Sequence, residues 1–268
     1  MGDKLIDFCE EATPTPANDT NEEECHDFPQ PLVTEKIIFC VDALLLSKED
    51  NSNTVIYNLL KSYFVLKKKI CVKVPEFECL IIGSGDTIVH FNINSAKDIQ
   101  SALKFVDNVK YDEEKNSLEL DNVFGNIAPL VELPDPECHD KCIPPNWVYH
   151  VIWLFGRNIF VPTMTNSNPF DFVMGSPYFA LDILYVYDNT LKNNCCEEIS
   201  HSLFSLNQNG KGYFLNARYN DCAKIYSCFA QFLGHPLIRS SQIRAKFSVI
   251  DLGPQSESEN CKENDGDN

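Results

Sequence analysis

Apolar positions in this chain fall into blocks whose period switches between two and roughly 3.6, and the switching predicts strands alternating with helices. Lys36-Ile-Ile-Phe-Cys-Val-Asp42 is a continuous apolar run ending in a carboxylate, as expected of a central strand covered on both faces. Residues 54–67 set Ile56, Leu59, Leu60, Tyr63, Phe64 and Leu66 at helical spacing. Phe77 to Ile82 and Thr87 to Phe91 predict two strands joined through Gly83-Ser84-Gly85-Asp86. Ser95-Ala-Lys-Asp98 has a helix-start pattern, an N-cap followed three residues later by an acid, and a helix to about Val109 should follow. Leu118 to Leu130 predicts another helix, and Pro134 to Pro145 a proline-rich linker.

Trp147 to Phe155 and Tyr178 to Tyr187 are long apolar strands, with a short helix from Pro169 to Met174 between them. A helix over 195–206, a turn from Asn207 to Gly212, a strand from Tyr213 to Ala217 and a helix over 220–233 complete the alternation. Such a succession predicts an α/β fold of three layers, a mostly parallel central sheet with helices on both faces.

Composition changes this picture mainly at the ends. The net charge is -17, but residues 1–34 hold -8 of it and residues 253–268 hold -4, leaving -5 for the body. Both ends are polar and poor in large apolar side chains, so the expected organisation is a disordered acidic tail over 1–34, a folded domain over 35–252 and a second acidic tail over 253–268. Nucleic-acid binding needs clustered cations. Only Lys67-Lys68-Lys69 forms a basic run, and it reads as cations at a helix C-terminus. The start, Met1 to Glu11, is too acidic for a signal peptide, and no apolar run nears the length of a membrane span. The expected setting is cytoplasmic and nuclear. In a reducing compartment the twelve Cys are thiols, and those inside apolar runs (Cys40, Cys71, Cys79, Cys222, Cys228) read mostly as packing.

Motifs that would carry chemistry are scarce. Gly83-Ser84-Gly85 lacks the third glycine of a dinucleotide loop, since Ile88 stands there, and it reads as a hairpin turn. Cys138-His139-Asp140-Lys141-Cys142 offers two thiols and an imidazole, and Cys195, Cys196 and His201 could complete a zinc set, but nothing in the spacing requires one and the expected reading is a proline-flanked surface loop. No nucleophile elbow, His-Glu-x-x-His or Walker loop is present. An unrecognised Cys-dependent hydrolase stays open because both residue types exist. No catalytic residue and no cofactor is assigned.

Asp42 ends the first strand, where open α/β sheets bind ligands. In von Willebrand factor A domains the corresponding Asp opens an Asp-x-Ser-x-Ser loop that holds a divalent cation. Here Leu44 and Leu46 fill the two serine positions and offer no oxygen. The strand Trp147 to Phe155 runs into Gly156-Arg157, which sets a positive charge where a cation would sit. The cation site is expected to be lost.

Four stretches in order carry a family resemblance: Glu35 to Asp42, Ile143-Pro-Pro-Asn-Trp-Val-Tyr-His-Val-Ile-Trp-Leu154, Ser176-Pro-Tyr-Phe-Ala-Leu-Asp-Ile-Leu-Tyr-Val-Tyr-Asp-Asn189 and Gly234-His-Pro-Leu-Ile-Arg239. Over roughly residues 35–252 the chain resembles the von Willebrand factor A-like scaffold subunit of the BRISC deubiquitylase, also found in the nuclear BRCA-one A complex. The resemblance implies a non-catalytic adaptor. Its direct partner would be a BRE-type subunit of ubiquitin-conjugating-like domains. A metalloprotease specific for lysine-63-linked chains and a pseudo-enzyme would complete the assembly. Vertebrate members carry Arg-containing tankyrase-binding motifs in the N-terminal tail, whereas residues 1–34 here contain no Arg. A proteasome-type ubiquitin receptor is the other adaptor reading, but Gly253 to Asn268 has no ubiquitin-binding helix.

After the last helix, Gly234 suits a C-cap and Pro236 stops the helix. Ile243 to Leu252 reads as an edge strand or an extended bound segment. Given the implied partner, Pro236, Leu237, Arg239 and Phe247 are the expected docking residues, with packing of the segment on its own sheet as the alternative.

Overall fold

A computed structural model describes residues 33–47, 49–83, 87–108, 117–133, 145–164, 170–188, 190, 194–207, 210–242 and 244. Each apolar run becomes a strand near its expected bounds: β1 (Thr34–Asp42), β2 (Glu76–Ile82), β3 (Ile88–Asn92), β4 (Trp147–Phe155), β5 (Phe179–Tyr187) and β6 (Phe214–Arg218). Between them lie α1 (Ala43–Ser47), α2 (Glu49–Ile70), α3 (Ala96–Lys104), α4 (Leu120–Ile127), α5 (Asp171–Gly175), α6 (Cys196–Phe204) and α7 (Cys222–Ala230). Short 3-10 turns extend α3, α4 and α7, which is why the periodicity outlasts the α-helices there. At the start of α3 the Asp98 carboxylate accepts from Asn94 N–H at 2.9 Å and Ser95 N–H at 2.8 Å, as the capping pattern predicts.

The six strands lie in the order β3-β2-β1-β4-β5-β6. All neighbours are parallel except β2 and β3, an antiparallel pair closed by Gly83 N–H donating to Thr87 O at 2.8 Å. The residues of that turn, 84–86, lie outside the described residues, as do the proline-rich linker (134–144), residues 1–32 and most of the stretch beyond Gln242. The two acidic tails and the possible strand from Ile243 to Leu252 therefore fall almost wholly outside them.

Period two along β1 separates two cores. Ile37, Phe39 and Val41 meet Ile152, Leu154, Leu184 and Val186 under α1, α2, α3 and α7. Ile38 and Cys40 meet Val151, Trp153, Phe155, Ile183 and Tyr185 under α4, α5 and α6. The result is the three-layer α/β fold with a mostly parallel sheet, as expected from the sequence. The central strands are apolar throughout because both their faces are covered.

Two contacts fix connections that the pattern does not show. Gly212 enters β6 so close to β5 that a Cβ would stand 2.0 Å from Leu181 O. Asn207 seals the same corner: its Oδ1 accepts from Gly212 N–H at 3.2 Å and its Nδ2 donates to Gly212 O. Gly125, in α4, has nothing within 4 Å of the place a Cβ would occupy.

Gly212→Ala should therefore cost ~1–3 kcal/mol by overpacking against backbone. Gly125→Ala should be neutral or stabilise by ~0.5–1 kcal/mol through helix propensity. Denaturant unfolding of the two variants checks the pair.

Candidate functional site

Two places on the sheet carry buried charge. The first is the switch point where the chain, having built β1 and β2 to one side, crosses to build β4 on the other. Asp42 ends β1 there and is buried. Its Oδ1 accepts from Leu44 N–H at 3.2 Å, and its Oδ2 accepts from Arg157 Nε at 3.0 Å. Arg157, also buried, donates through Nη2 to Gly83 O at 2.5 Å and through Nη1 to Ser117 O at 3.5 Å. The guanidinium ties the ends of β1 and β2 together from the turn after β4. Leu46 packs in the core and Leu44 is half-buried beside it. Gly156 lets this arrangement close, because a Cβ there would stand 2.4 Å from the Leu45 side chain. A guanidinium and aliphatic side chains thus surround the carboxylate.

The second place lies on the α2 side of the sheet, toward the N-terminal ends of β1 and β4. Lys67, in the last turn of α2, is buried and its Nζ lies 2.6 Å from both carboxylate oxygens of Glu35 on β1. His150 on β4 stands between two acids, with Nε2 2.6 Å from Asp182 Oδ2 and Nδ1 3.4 Å from Glu35 Oε2. Tyr63 Oη is 3.5 Å from the same Nδ1 and donates to Phe232 O at 3.0 Å. Asp182 on β5 also accepts from Tyr213 N–H at 2.7 Å and takes both Arg239 terminal nitrogens at 2.5 Å. Period two makes the set possible: Glu35, His150 and Asp182 occupy positions that face the same helical layer on three adjacent strands.

Burial alone would raise the Glu35 carboxyl, but the His150 hydrogen bond and the Lys67 ammonium outweigh it and hold the group at about 2, against an ordinary 4.5. Burial likewise opposes ionisation of Asp182, and the Arg239 guanidinium and His150 reverse it to a net lowering. A folded pKa below the unfolded one stabilises the fold above the unfolded value and ceases to do so as pH falls through the folded one.

The residues singled out by sequence are distributed unevenly over these places. Pro236 is buried, Leu237 half-buried, and Arg239 is committed to Asp182, to Lys211 O at 2.8 and 3.3 Å, and to the Tyr213 ring at 4.1 Å. Phe247 lies outside the described residues, as do Cys138, His139 and Cys142. Of the thiols in apolar runs, Cys40, Cys79 and Cys228 are buried, Cys71 is partly exposed and Cys222 is exposed. Cys71 Sγ sits 3.8 Å from Glu35 Oε1, and burial followed by that anion raises its pKa, the reverse of an activated nucleophile. Cys196 Sγ faces Asn158 Oδ1 at 3.7 Å. Among the described residues no group of three or more His, Cys, Asp or Glu is placed to hold a metal ion, and no helix is long and apolar enough to cross a membrane.

From sequence, Lys67 reads as one of three helix-end cations, and nothing assigns a role to Glu35, His150 or Asp182. The one available signal is polarity itself: His150 and Asp182 interrupt strands that otherwise read as continuously apolar, and Glu35 stands just before one.

Curated proteins similar to this chain share one name. The chain is 25% identical over 236 residues to "BRISC and BRCA1-A complex member 1" of Xenopus laevis, covering 83% of this chain and 70% of that one. The Danio rerio and Homo sapiens proteins of that name are each 26% identical, over 81% of this chain and 61% and 68% of theirs. The chain is a homologue of BRISC and BRCA1-A complex member 1. The resemblance carried by the four stretches is thereby shown. No family model matches the chain. Solved structures align over about three quarters of it, among them proximal thread matrix protein 1 from the mussel byssus (9% identical, TM-score 0.46, 75% of this chain and 48% of that one). A von Willebrand factor type A protein from Catenulispora acidiphila aligns at 10% identity, TM-score 0.36, over 76% of this chain and 43% of that one.

Lys67→Met should cost ~3–5 kcal/mol by leaving Glu35 buried and without its ammonium, whereas Lys68→Met on the surface should change stability by less than ~0.5 kcal/mol. Between pH 5 and 2 the protein should lose up to ~3 kcal/mol through Glu35, and Glu35→Gln should remove that part of the slope. Urea unfolding across pH measures both. Separately, millimolar magnesium or manganese should leave the Tm unchanged; a rise of several degrees that Asp42→Ala abolishes would contradict the reading of the switch point.

Proposed function

We propose that this chain is a non-catalytic scaffold subunit of a BRISC-like deubiquitylase assembly, working in the cytoplasm and nucleus. The observation that carries the reading is homology over four fifths of the chain to proteins named as members of the BRISC and BRCA1-A complexes. The chemistry of the described residues supports it. The acids that the sheet buries are each matched by a side-chain cation of the same chain, and none is left to activate water or hold a metal. In this reading cleavage of lysine-63-linked ubiquitin chains belongs to a metalloprotease subunit. This chain contributes by binding the BRE-type subunit of ubiquitin-conjugating-like domains.

The docking element in this reading is the segment after α7, from Gly234 onward. It is held rigidly for the purpose. Arg239 fastens it to Asp182, Tyr213 Oη donates to Ser240 O at 2.5 Å, and the buried Gln242 side chain pairs with both backbone groups of Phe214, at 2.8 and 2.7 Å. Pro236 and Arg239 therefore act from within, as supports, and the half-buried Leu237 and exposed Ile238 supply contact.

Co-expression with the ubiquitin-conjugating-like subunit, followed by size-exclusion chromatography, tests this. Co-elution is expected, with Leu237→Asp lowering affinity at least tenfold at an unchanged Tm, and Arg239→Glu lowering both. The purified chain alone should not cleave di-ubiquitin. Failure to co-elute, or unaltered binding by Leu237→Asp, contradicts the docking site; cleavage by the pure chain contradicts the scaffold role.

A further inference from the structure

His235 is the hub of the turn that presents Leu237. Its carbonyl oxygen accepts from Ile238 N–H at 3.0 Å and from Arg239 N–H at 3.1 Å. Its ring Nδ1 accepts from Leu237 N–H at 3.2 Å. Pro236, which lies between, has no N–H to offer. One residue therefore gathers every backbone donor from 236 to 239. The two carbonyl contacts are unconditional, whereas the ring contact depends on protonation. An amide N–H can only donate, so Nδ1 must carry a lone pair, and in the neutral ring the proton is on Nε2. A second proton on the ring would set a donor at Nδ1 facing Leu237 N–H, and that hydrogen bond would be lost.

The surroundings of the ring keep it neutral at ordinary pH and offer an imidazolium little in return. Nε2 is buried and has no hydrogen-bond partner among the described residues. Glu35 Oε1, on β1, lies 3.9 Å from it. That carboxylate is already taken: Lys67 Nζ, from α2, is 2.6 Å from both its oxygens, and His150 Nδ1, on β4, is 3.4 Å from Oε2. Cys71 and Lys73, which follow α2, line the same cleft as the ring. Burial lowers the His235 pKa; Glu35 and the Val33 backbone oppose this, Lys67 and His150 add to it, and the net is a lowering. The nearby acids keep their charge over the range in which an imidazole titrates, since Glu35 is held at about 2 and Asp182 below its ordinary value. Cys71 stays a neutral thiol there, its pKa being raised by burial.

We propose that His235 is an acid-sensitive latch on the docking segment: its neutral Nε2–H tautomer pins Leu237 in the presented turn, and protonation releases it, so that binding weakens as pH falls. The proposal rests on the reading of the segment from Gly234 onward as the docking element. It adds the residue that sets the geometry of that element and the condition that opens it. His235 is a positioning residue, acting through Leu237. Because the turn that binds is the turn with an unprotonated ring, binding and protonation compete, and affinity must fall once the pH drops below the pKa of the free chain's ring.

Two measurements test the latch. Nitrogen-15 NMR of the isolated full chain at pH 7.5 should show the His235 ring with a bare Nδ1 and a proton on Nε2. On acidification the Leu237 amide shift should follow the ring titration, with a midpoint below the ordinary imidazole value of about 6.5. The second measurement is the affinity for the ubiquitin-conjugating-like subunit at pH 7.5 and pH 5.0. His235→Asn is the reference, because its side-chain oxygen accepts the N–H two residues on and does not titrate. Between the two pH values the wild type should lose at least threefold more affinity than this variant, which retains every other titrating group. His235→Phe, which fills the space without an acceptor, should bind at least threefold more weakly than His235→Asn at pH 7.5. A proton on Nδ1 at pH 7.5, a Leu237 shift that ignores the ring, or coincident pH profiles of the wild type and His235→Asn overturns the latch. Failure of the wild type to bind at pH 7.5 instead refutes the docking reading. The NMR arm needs no partner, so the two failures are distinguishable.

Discussion

Burying a carboxylate in a covered sheet is costly unless a cation is buried with it, and this constraint organises the whole structure. Three acids sit on central strands: Glu35 on β1, Asp42 at its end, and Asp182 on β5. Each draws a long cationic side chain out of a different connecting element, Lys67 from α2, Arg157 from the turn after β4 and Arg239 from the segment after α7. The pairings pull the C-terminal end of α2 and the segment that follows α7 down onto the sheet, and they lock the turn after β4 over the end of β1. Removing any one cation leaves an uncompensated charge in the core, so each pairing acts as a registration pin as well as a contact.

The same constraint bears on function. An α/β sheet of this order offers a ligand site at its switch point, and Asp42 stands there. Because Arg157 provides the positive charge internally, the switch point becomes a structural knot. Cys71 lies against the Glu35 carboxylate, which suppresses its thiolate. Among the described residues, aliphatic side chains are exposed at and beyond the end of α2 and in the segment after α7, with Ile70 57%, Val72 75% and Ile238 46% exposed. By sequence the chain is homologous to proteins named as members of the BRISC and BRCA1-A complexes.

Much of the fold is legible in the sequence because it depends on local periodicity. The central strands read as unbroken apolar runs, and the structure places β4 at Trp147–Phe155, the bounds the pattern gives. The 22-residue α2 extends well beyond its predicted 54–67, since its first turns carry polar residues that no apolar pattern marks. The charge network is invisible for a different reason. Glu35 and Asp182 lie 147 positions apart in the chain, and nothing local says that β1 and β5 flank β4 and aim both acids at His150. Likewise Lys67, Lys68 and Lys69 are alike in sequence, and only the helical rotation of 100° per residue decides that the first faces Glu35 while the other two face solvent. Arg239 reads as a docking residue because of the partner that the family resemblance implies; its side-chain partner in the fold, Asp182, is hidden inside an apolar strand.

The central claim is that buried acid–cation pairs, rather than the connecting segments' own propensities, hold the outer elements on the sheet. A double-mutant cycle on Asp182→Asn and Arg239→Met, with unfolding free energies from urea titration, measures one such pair directly. A coupling energy of about 2 kcal/mol or more is expected, with each single variant markedly less stable than the wild type. Additivity within ~0.5 kcal/mol would contradict it, since Arg239 would then hold its segment without drawing on Asp182.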